Sequence, residues 1–584
     1  LAHAVVSALG GGCVALVAAR LWGRRAGWLS ALVYAGLWTS IYFVGELLLE
    51  TLATTLLLVL AWLLLDRAPG ADAPPSGRRL FLLGLVAGLG AITRPPLLVV
   101  LPVAAWFLWR HAGLRARSRG WLLLLAGLAL PILPVAAHNL VRGGDAVLIA
   151  TQGGVNFYIG NNPQSDGRTA IVPGTRATWQ GGYEDAIAQA ERAAGRALKP
   201  SEVDRHYLRE GLRFLATQPG RALRLYAEKT RLLFGAGERS NNNNPYFWRR
   251  WSIVLKWPVW LGWAPVLALA VLGLARRDLA RGARWLLLGS AAAYALSLLA
   301  FFINGRFRLP LLGLLAIPAG AGAERLWLAI RRRRWPDARW APFVAAALLL
   351  LSLSDLLTFR ENRVEADAFS RFTLGNAYYD LGRRDEARRA YEDALAVQRR
   401  FKLSAFALIE EPLYTSLGRL LREANDTAGA LRLYTEWVRG NPQTLAGRLA
   451  LGDLLLQTGR TDEAAAQFEM VLRAEPENPA AQLGFAWILR ANGDLGAALR
   501  RFRTLAEQRR DPQALFGAGL CLIDLERYGE AETAFLEVLR LQPDYWQALG
   551  NLAGLYDRQG RLAEARRTYE RLLEIGRASC RERV

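Results

Sequence analysis

The chain has 584 residues, of which 52% are hydrophobic and 21% are charged, and its net charge is +22. This length predicts several domains, and this composition excludes a wholly disordered or collagen-like chain. The three cysteines have no metal-ligand spacing and are too few for a disulfide framework. The whole positive excess lies in residues 1–357, which also hold the long apolar runs. Membrane topology therefore explains the charge better than nucleic-acid binding, and we expect no nucleic-acid partner.

Ten apolar segments in residues 1–357 are candidates for membrane-spanning helices, because a bilayer core needs about 20 apolar helical residues. Several segments are short, so re-entrant pairs are an alternative for them. The candidate segments are residues 1–19, 28–44, 47–65, 80–93, 96–109, 121–137, 252–275, 285–302, 309–330 and 340–357.

Arginine-dense loops between these segments all fall on one side of the membrane when ten spans are counted. The positive-inside rule makes that side cytoplasmic. The sequence thus predicts a multi-pass protein of the bacterial inner membrane, with residues 138–251 and everything after residue 358 outside the cytoplasm. In domain terms we expect helices in residues 1–137, a mixed loop domain in 138–251, and further helices in 252–357.

Two glutamates lie at the predicted outer boundary, in the stretch VGELLLETL. Glu46 and Glu50 are four residues apart, so a helix places both carboxylates on one face. Such a pair can act in catalysis or hold a divalent cation or a phosphate-bearing donor. The alternative is a solvated helix end, where acidic residues favour the helix dipole. Signatures of soluble enzymes, such as a phosphate loop or H-E-x-x-H, are absent from the sequence.

Three arginines also fall at the outer boundary, against the positive-inside bias. Arg94 stands in GAITRPPLL, and Arg306 and Arg308 stand in NGRFRLPLL. The planar guanidinium group suits phosphate oxygens, so these residues are candidates for donor binding. The alternative is packing against lipid headgroups.

The segment 138–251 is too long for a simple linker. Its stretch ATQGGVNFYIGNNPQSDG supplies the amides of Asn156, Asn161 and Asn162, and His138 stands at the preceding membrane exit. Amide and aromatic side chains together suit hydroxyl-rich ligands, so these four residues are candidates for acceptor or sugar contacts. Asn-Gly-rich stretches are also common in plain turns, which is the alternative.

From about residue 368 the sequence repeats regularly. An alanine recurs at intervals of 43, 34, 34, 33 and 34 residues, each followed four positions later by an aromatic residue. The pairs are Ala387 and Tyr391, Ala430 and Tyr434, Ala464 and Phe468, Ala498 and Phe502, Ala531 and Phe535, and Ala565 and Tyr569. This pattern resembles the tetratricopeptide repeat, whose period is 34. It predicts an α-solenoid over residues 368–573 whose groove binds a protein partner or acceptor, or alternatively a rigid spacer. The interval of 43 predicts an insertion around residues 403–412.

The order of segments in residues 1–357 resembles a C-type membrane glycosyltransferase of the protein O-mannosyltransferase and aminoarabinose-transferase-like group, in its bacterial branch. The resembling pieces are GELLLETL, GLGAITRPPLLVVLP, PILPVAAHNLVRGG with TQGGVNFYIGNNPQSDG, SNNNNPYFW and NGRFRLPLL. The resemblance implies transfer of a sugar from a polyprenyl-phosphate donor to an acceptor outside the cytoplasm. It matches Glu46 and Glu50 to a second acidic position of the family, and Arg94, Arg306 and Arg308 to positions near the donor phosphate. His138 stands where relatives commonly have arginine.

The family places its catalytic base, an aspartate, in the first outer loop, which would precede Leu1. Residues 574–584, which read EIGRASCRERV, match a translated sequencing adapter. We therefore expect a fragment of a longer protein that lacks the catalytic aspartate. Two other functions fit the pattern: a non-enzymatic membrane-anchored scaffold for cell-envelope assembly, and a polysaccharide ligase or polymerase. The expected fold is all-α: a polytopic membrane domain followed by an α-solenoid.

Overall fold

The computed structural model describes residues 2–581, apart from 46–48, 66–74, 112–117, 176–178, 239–244, 257–260, 334, 336–337, 359 and 402–408. The described residues form helices, and their β-pairing is limited to one isolated bridge between Leu37 and Leu261. The chain divides into two compact units. The first, here called the apolar unit, comprises Leu1–Thr373 and Ala396–Leu408, and the second, the repeat unit, comprises Leu374–Leu395 and Ile409–Val584.

The helices up to residue 358 belong to the apolar unit. They are α1 (Ala2–Trp22), α2 (Arg24–Ala35), α3 (Trp38–Gly45), α4 (Leu49–Leu65), α5 (Gly77–Thr93), α6 (Leu101–His111), α7 (Ser118–Val141), α8 (Gly153–Gly160), α9 (Trp179–Ala194), α10 (Pro200–Thr217), α11 (Pro219–Phe234), α12 (Pro245–Arg249), α13 (Trp263–Leu274), α14 (Arg281–Ala300), α15 (Leu309–Arg332) and α16 (Ala341–Thr358). Short 3-10 helices cover Pro95–Val100 and Arg306–Arg308.

Within the described residues, four helical stretches are long and apolar enough to cross a bilayer: Ala2–Trp22, Ser118–Val141, Arg281–Ala300 and Arg306–Arg332. The prediction of about ten spans is therefore wrong in number. Several of the other segments form apolar helices that are too short to cross a bilayer, such as Leu49–Leu65 and Ala341–Leu356. The segment 28–44 divides between α2 and α3 at Leu37, which pairs with Leu261. In the segment 252–275, helix α13 covers Trp263–Leu274. The segment 138–251 was expected to be mixed, but its described part carries helices α8 to α12 and no strand.

Helix α15 lies at the centre of the apolar unit. Every residue from Leu309 to Gly322 is buried. A helix that is apolar on all sides is expected to lie inside a bundle, and α15 packs against α1, α2, α4 and α13. Its amino-terminal end therefore holds the preceding turn, with Arg306 and Arg308, inside the protein instead of at a free surface.

Six consecutive helix pairs follow. They are α17 (Arg360–Asp380) with α18 (Arg384–Phe401), α19 (Glu410–Glu423) with α20 (Thr427–Gly440), α21 (Leu445–Gln457) with α22 (Thr461–Ala474), α23 (Pro479–Ala491) with α24 (Leu495–Arg509), α25 (Pro512–Asp524) with α26 (Tyr528–Leu541), and α27 (Trp546–Arg558) with α28 (Leu562–Arg581). The predicted insertion around 403–412 falls largely on residues 402–408, which lie outside the described residues.

The repeated alanines and aromatics pack as the sequence predicts. All six alanines are buried, and so are the aromatics from Tyr391 to Phe535. A Cβ atom on Gly452 would lie 2.8 Å from the Phe468 ring, so in this pair the first helix needs glycine where the aromatic of the second helix packs. Tyr569, on the last helix, is 42% exposed. The helix-pair repeat predicted from the 34-residue period is thus confirmed.

Candidate functional site

Three of the predicted site residues come together in the apolar unit. Glu50 lies in the first turn of α4, Arg94 directly after α5, and Arg306 in the turn before α15. A Glu50 carboxylate oxygen forms an ion pair with Arg94 Nη2 and lies 3.5 Å from Arg306 Nε. Residues separated by 44 and 212 positions in the sequence therefore share one charged cluster, which we call the Glu50 cluster. Glu46 lies outside the described residues.

The Glu50 cluster carries a net charge of +1 in a largely buried place. The Glu50 side chain is 2% exposed, whereas those of Arg94 and Arg306 are 28% and 16% exposed. The guanidinium carbons of Arg94 and Arg306 lie 5.1 and 4.9 Å from the centre of the Phe307 ring. Glu50 Oε2, Arg94 Nε and Arg306 Nε are buried and have no hydrogen-bond partner among the described residues. Because the guanidinium groups of Arg94 and Arg306 are partly exposed, they can donate hydrogen bonds to a bound anion.

Arg308 lies in a different environment. Its side chain is fully buried and forms an ion pair with the equally buried Glu238, with 2.7 Å between Nη2 and Oε2. The same guanidinium donates to the carbonyls of Leu233, Gly235 and Gly237. These acceptors engage both terminal nitrogens, so the geometry favours a structural role for Arg308 over the predicted donor binding.

The asparagines of the loop segment are also engaged by the protein. The Asn161 side chain donates to the carbonyls of Phe157 and Ala300, and the Asn162 side chain donates to the carbonyls of Tyr158 and Ile159. Both residues are buried. These contacts favour a structural role for Asn161 and Asn162 over the predicted sugar contacts, because their amide groups donate to the backbone. Asn156 is partly exposed on α8, and His138 is exposed in the last turn of α7.

Sequence reasoning missed Lys229, which is fully buried on α11. Its Nζ donates to Asn161 Oδ1 at 3.2 Å and to the Leu299 carbonyl at 3.1 Å, near the end of α14. The donation fits the helix end, where carbonyls lack partners within the helix. The sequence offered one signal for this residue, the rarity of lysine: only four of the 73 Lys and Arg residues are lysines, and Lys229 is one of them.

Burial lowers the pKa of Lys229 to about 7. The unfolded chain then binds more protons than the folded chain between about pH 7 and pH 10, so the free energy of unfolding should rise with pH in that window. One proton limits the slope to about 1.4 kcal/mol per pH unit. We expect thermal unfolding from pH 6 to 9.5 to show this rise in the wild type and to lose it in Lys229→Met. An identical slope in the variant would contradict the assignment.

A metal is not favoured by the described part of the chain, where no group of three or more His, Cys, Asp or Glu side chains is arranged to hold one. Burial raises the pKa of the Cys521 thiol to about 11, so this cysteine is a core residue and not a reactive nucleophile. The predicted metal at the glutamate pair stays untested, because Glu46 is not described.

The repeat unit presents one regular row of side chains. Arg419, Asp453, Trp487 and Leu520 follow one another at intervals of 34, 34 and 33 residues, so they occupy the same place on the first helix of consecutive repeats. The first helices of neighbouring repeats contact one another, from α19 to α25. Side chains next to the row also meet across helices: the Trp487 and Phe516 ring centres are 6.5 Å apart, and Arg422 donates to Gln457. The row therefore forms one surface with changing chemistry.

The character of this surface changes along the row. Arg419 and Arg422 are exposed, and among the described residues neither has a carboxylate within ion-pair distance. Asp453 follows on the next first helix and is also exposed. Farther along, Leu483, Trp487, Phe516 and Leu520 are partly exposed. One end of the surface is thus cationic and the other apolar.

Comparisons with known proteins bear on the repeat region. A TPR repeat-containing protein of Pseudomonas aeruginosa is 32% identical over 27% of this chain and 33% of its own length. A kinesin light chain-related protein of Arabidopsis thaliana is 27% identical over 36% of this chain and 37% of its own length. The chain thus spans about a third of the length of these curated relatives. A solved tetratricopeptide repeat protein from Parabacteroides merdae matches 36% of this chain and 79% of its own, at 20% identity and a TM-score of 0.30.

Family models show which residues carry the likeness. Models described as tetratricopeptide repeat match residues 368–401, 415–479, 455–518 and 522–579. These matches lie after residue 367, so the resemblance of residues 1–357 to a glycosyltransferase stays a prediction. The C-terminal region of the chain consists of tetratricopeptide repeats.

Proposed function

We propose that the chain is a membrane-anchored scaffold whose tetratricopeptide repeats bind a partner protein. The observation that carries this proposal is the surface on the first helices, where partly exposed aromatic and aliphatic side chains from two neighbouring repeats adjoin. Exposed apolar patches on soluble domains mark binding sites for other proteins. Tetratricopeptide arrays commonly bind protein partners or peptides, which agrees with this role.

The membrane anchor is supported by the four long apolar helical stretches and by their outward-facing residues. On α7, for example, Leu122, Leu130 and Leu133 are 65%, 55% and 59% exposed. An exposed apolar row on such a helix is stable when it faces lipid. With the repeats outside the cytoplasm, as the arginine distribution predicts, the scaffold would act in the cell envelope.

Site-specific photo-crosslinking tests the scaffold function. A photoreactive residue at Ile523, on α25, should form an adduct with a partner protein in native membranes. The same residue at Leu536, which is 48% exposed on α26, is the matched control and should give none. Adducts from Leu536 but not Ile523, or from neither position, would contradict the proposal. Membranes from these cells should also retain the chain after extraction at pH 11, as expected for an integral protein.

A second function has a specific observation in its favour. The convergence of Glu50, Arg94 and Arg306 supports an anion site at the predicted outer boundary, as a glycosyltransferase that uses a polyprenyl-phosphate sugar would need. Arginines placed at a departing phosphate stabilise its developing charge. In this case the repeats would recruit the acceptor protein.

Arginine replacement tests this second function. We expect Arg94→Ala and Arg306→Ala to weaken binding of polyprenyl phosphate in detergent micelles by at least about tenfold, because one charged hydrogen bond contributes about 1.5–3 kcal/mol. Arg331→Ala, at the opposite end of α15, is the control and should bind as the wild type does. Equal binding by all four proteins would remove the case for an anion site.

A further inference from the structure

The partner's chemistry can be read from the row on the first helices. Within each helix, the relevant side chains are three or four residues apart and therefore share a face. Equivalent positions then align from repeat to repeat. We define the first-helix face as Arg419, Arg422, Leu483, Trp487, Phe516 and Leu520. Its cationic end lies on α19, and its apolar part lies on α23 and α25.

The cationic end is available to a ligand. Arg419 lies over the Tyr379 ring, with 4.5 Å between the guanidinium carbon and the ring centre. The neighbouring Glu423 is engaged elsewhere, since it accepts a hydrogen bond from Tyr379 and lies 3.7 Å from Arg384. Many other arginines of the repeats have a carboxylate on the same helix or in the next repeat, as Arg490 on α23 has Asp524 on α25. With Arg384 and Asp453 included, this end has three positive charges against two negative ones.

The apolar part of the first-helix face is a contiguous surface, which we call the platform. Trp487 packs edge-on against the buried Phe502, and Phe516 packs against the buried Phe535, so both rings are held firmly while one side stays partly exposed. Rigid aromatic side chains lose little conformational entropy on binding and are frequent anchors in interfaces. Leu483 and Leu520 extend the platform along α23 and α25.

Resting on the proposed function, we infer that the first-helix face binds a segment of a partner protein that has an apolar stretch next to a cluster of carboxylates. The apolar stretch lies over Trp487 and Phe516, and the carboxylates meet Arg419 and Arg422. Charge complementarity excludes a basic segment at this end and gives the bound segment a direction along the array.

Synthetic peptides test this inference on the full chain. The probes are two labelled 16-residue peptides with the same Leu- and Phe-containing stretch, one followed by three glutamates and the other by three lysines. The glutamate peptide should bind at least tenfold more tightly in fluorescence anisotropy, and the difference should shrink as NaCl is raised. Equal binding, or tighter binding of the lysine peptide, would overturn the inference.

Variants locate the binding and separate the two proposals. Arg419→Glu with Arg422→Glu should reverse the preference between the peptides. Arg500→Glu with Arg501→Glu, an equal charge change on the exposed face of α24, should leave it unchanged. Leu520→Asn, a partly exposed position chosen to spare the fold, should weaken both peptides. If Ile523 still crosslinks to a partner while the peptides show no such preference, the scaffold function stands and this inference falls.

Discussion

Replacing Arg308 with methionine is expected to lower the free energy of unfolding by about 3–5 kcal/mol, because it leaves Glu238 as a buried charge without its partner. The loss also removes the hydrogen bonds to the carbonyls of Leu233, Gly235 and Gly237. Helix α16 also binds the backbone of residues 236–237, because Gly237 donates to Asp355 and Ala236 donates to the Ser352 carbonyl. Denaturant unfolding in detergent, followed by tryptophan fluorescence, measures the effect.

A double variant separates the charge from the packing. Arg308→Met combined with Glu238→Gln removes both charges, so it should be more stable than Arg308→Met alone, by about 2 kcal/mol. Arg306→Met is the matched control, because that side chain is partly exposed and Glu50 keeps Arg94 as a partner. A loss in Arg306→Met as large as in Arg308→Met would contradict the structural role given to Arg308.

Replacing Phe502 with alanine is expected to cost about 3–5 kcal/mol, because the ring is fully buried between two repeats. Its neighbour Gly517 allows the close packing: a Cβ atom there would lie 2.5 Å from the ring. Gly517→Ala should therefore destabilise the chain by about 1–3 kcal/mol despite the better helix propensity of alanine.

Two comparisons make this prediction specific. Gly496→Ala is the same chemical change on α24, but its Cβ atom would have only the Arg500 side chain nearby, at 3.7 Å, so it should stabilise the repeats slightly. The double variant Phe502→Ala with Gly517→Ala should lose less than the sum of the single losses, since the clash disappears with the ring. Strict additivity would show that the two residues do not pack against each other.

The repeat region could be predicted closely because its signal is local and periodic. Each pair of a repeated alanine and an aromatic marks a place where two helices pack closely. Six copies, from Ala387 to Tyr569, therefore predict six helix pairs. The helices of the apolar unit were harder to predict, since apolar runs do not show where a helix ends. The break between α2 and α3 at Leu37 depends on pairing with Leu261, more than 200 residues away. A hydropathy profile does not show such a contact.

Some of the candidate site residues could likewise be predicted from the sequence, and others could not. Glu50, Arg94 and Arg306 were selected because charge at the edge of an apolar segment is costly, and they do adjoin in the structure. The same reasoning selected Arg308, whose buried partner Glu238 lies 70 residues earlier. Sequence position alone does not separate a partly exposed arginine from one bound to backbone carbonyls. Lys229 was missed because its acceptors, Asn161 and the Leu299 carbonyl, come from two other elements.

Hydrogen–deuterium exchange of the full chain, with and without the glutamate-bearing peptide, tests the central claim most directly. If the repeats bind through the first-helix face, the peptide should slow exchange in α19, α21, α23 and α25 and leave α20, α22, α24 and α26 unchanged. Protection confined to these second helices, or no protection at a saturating peptide concentration, would contradict the account.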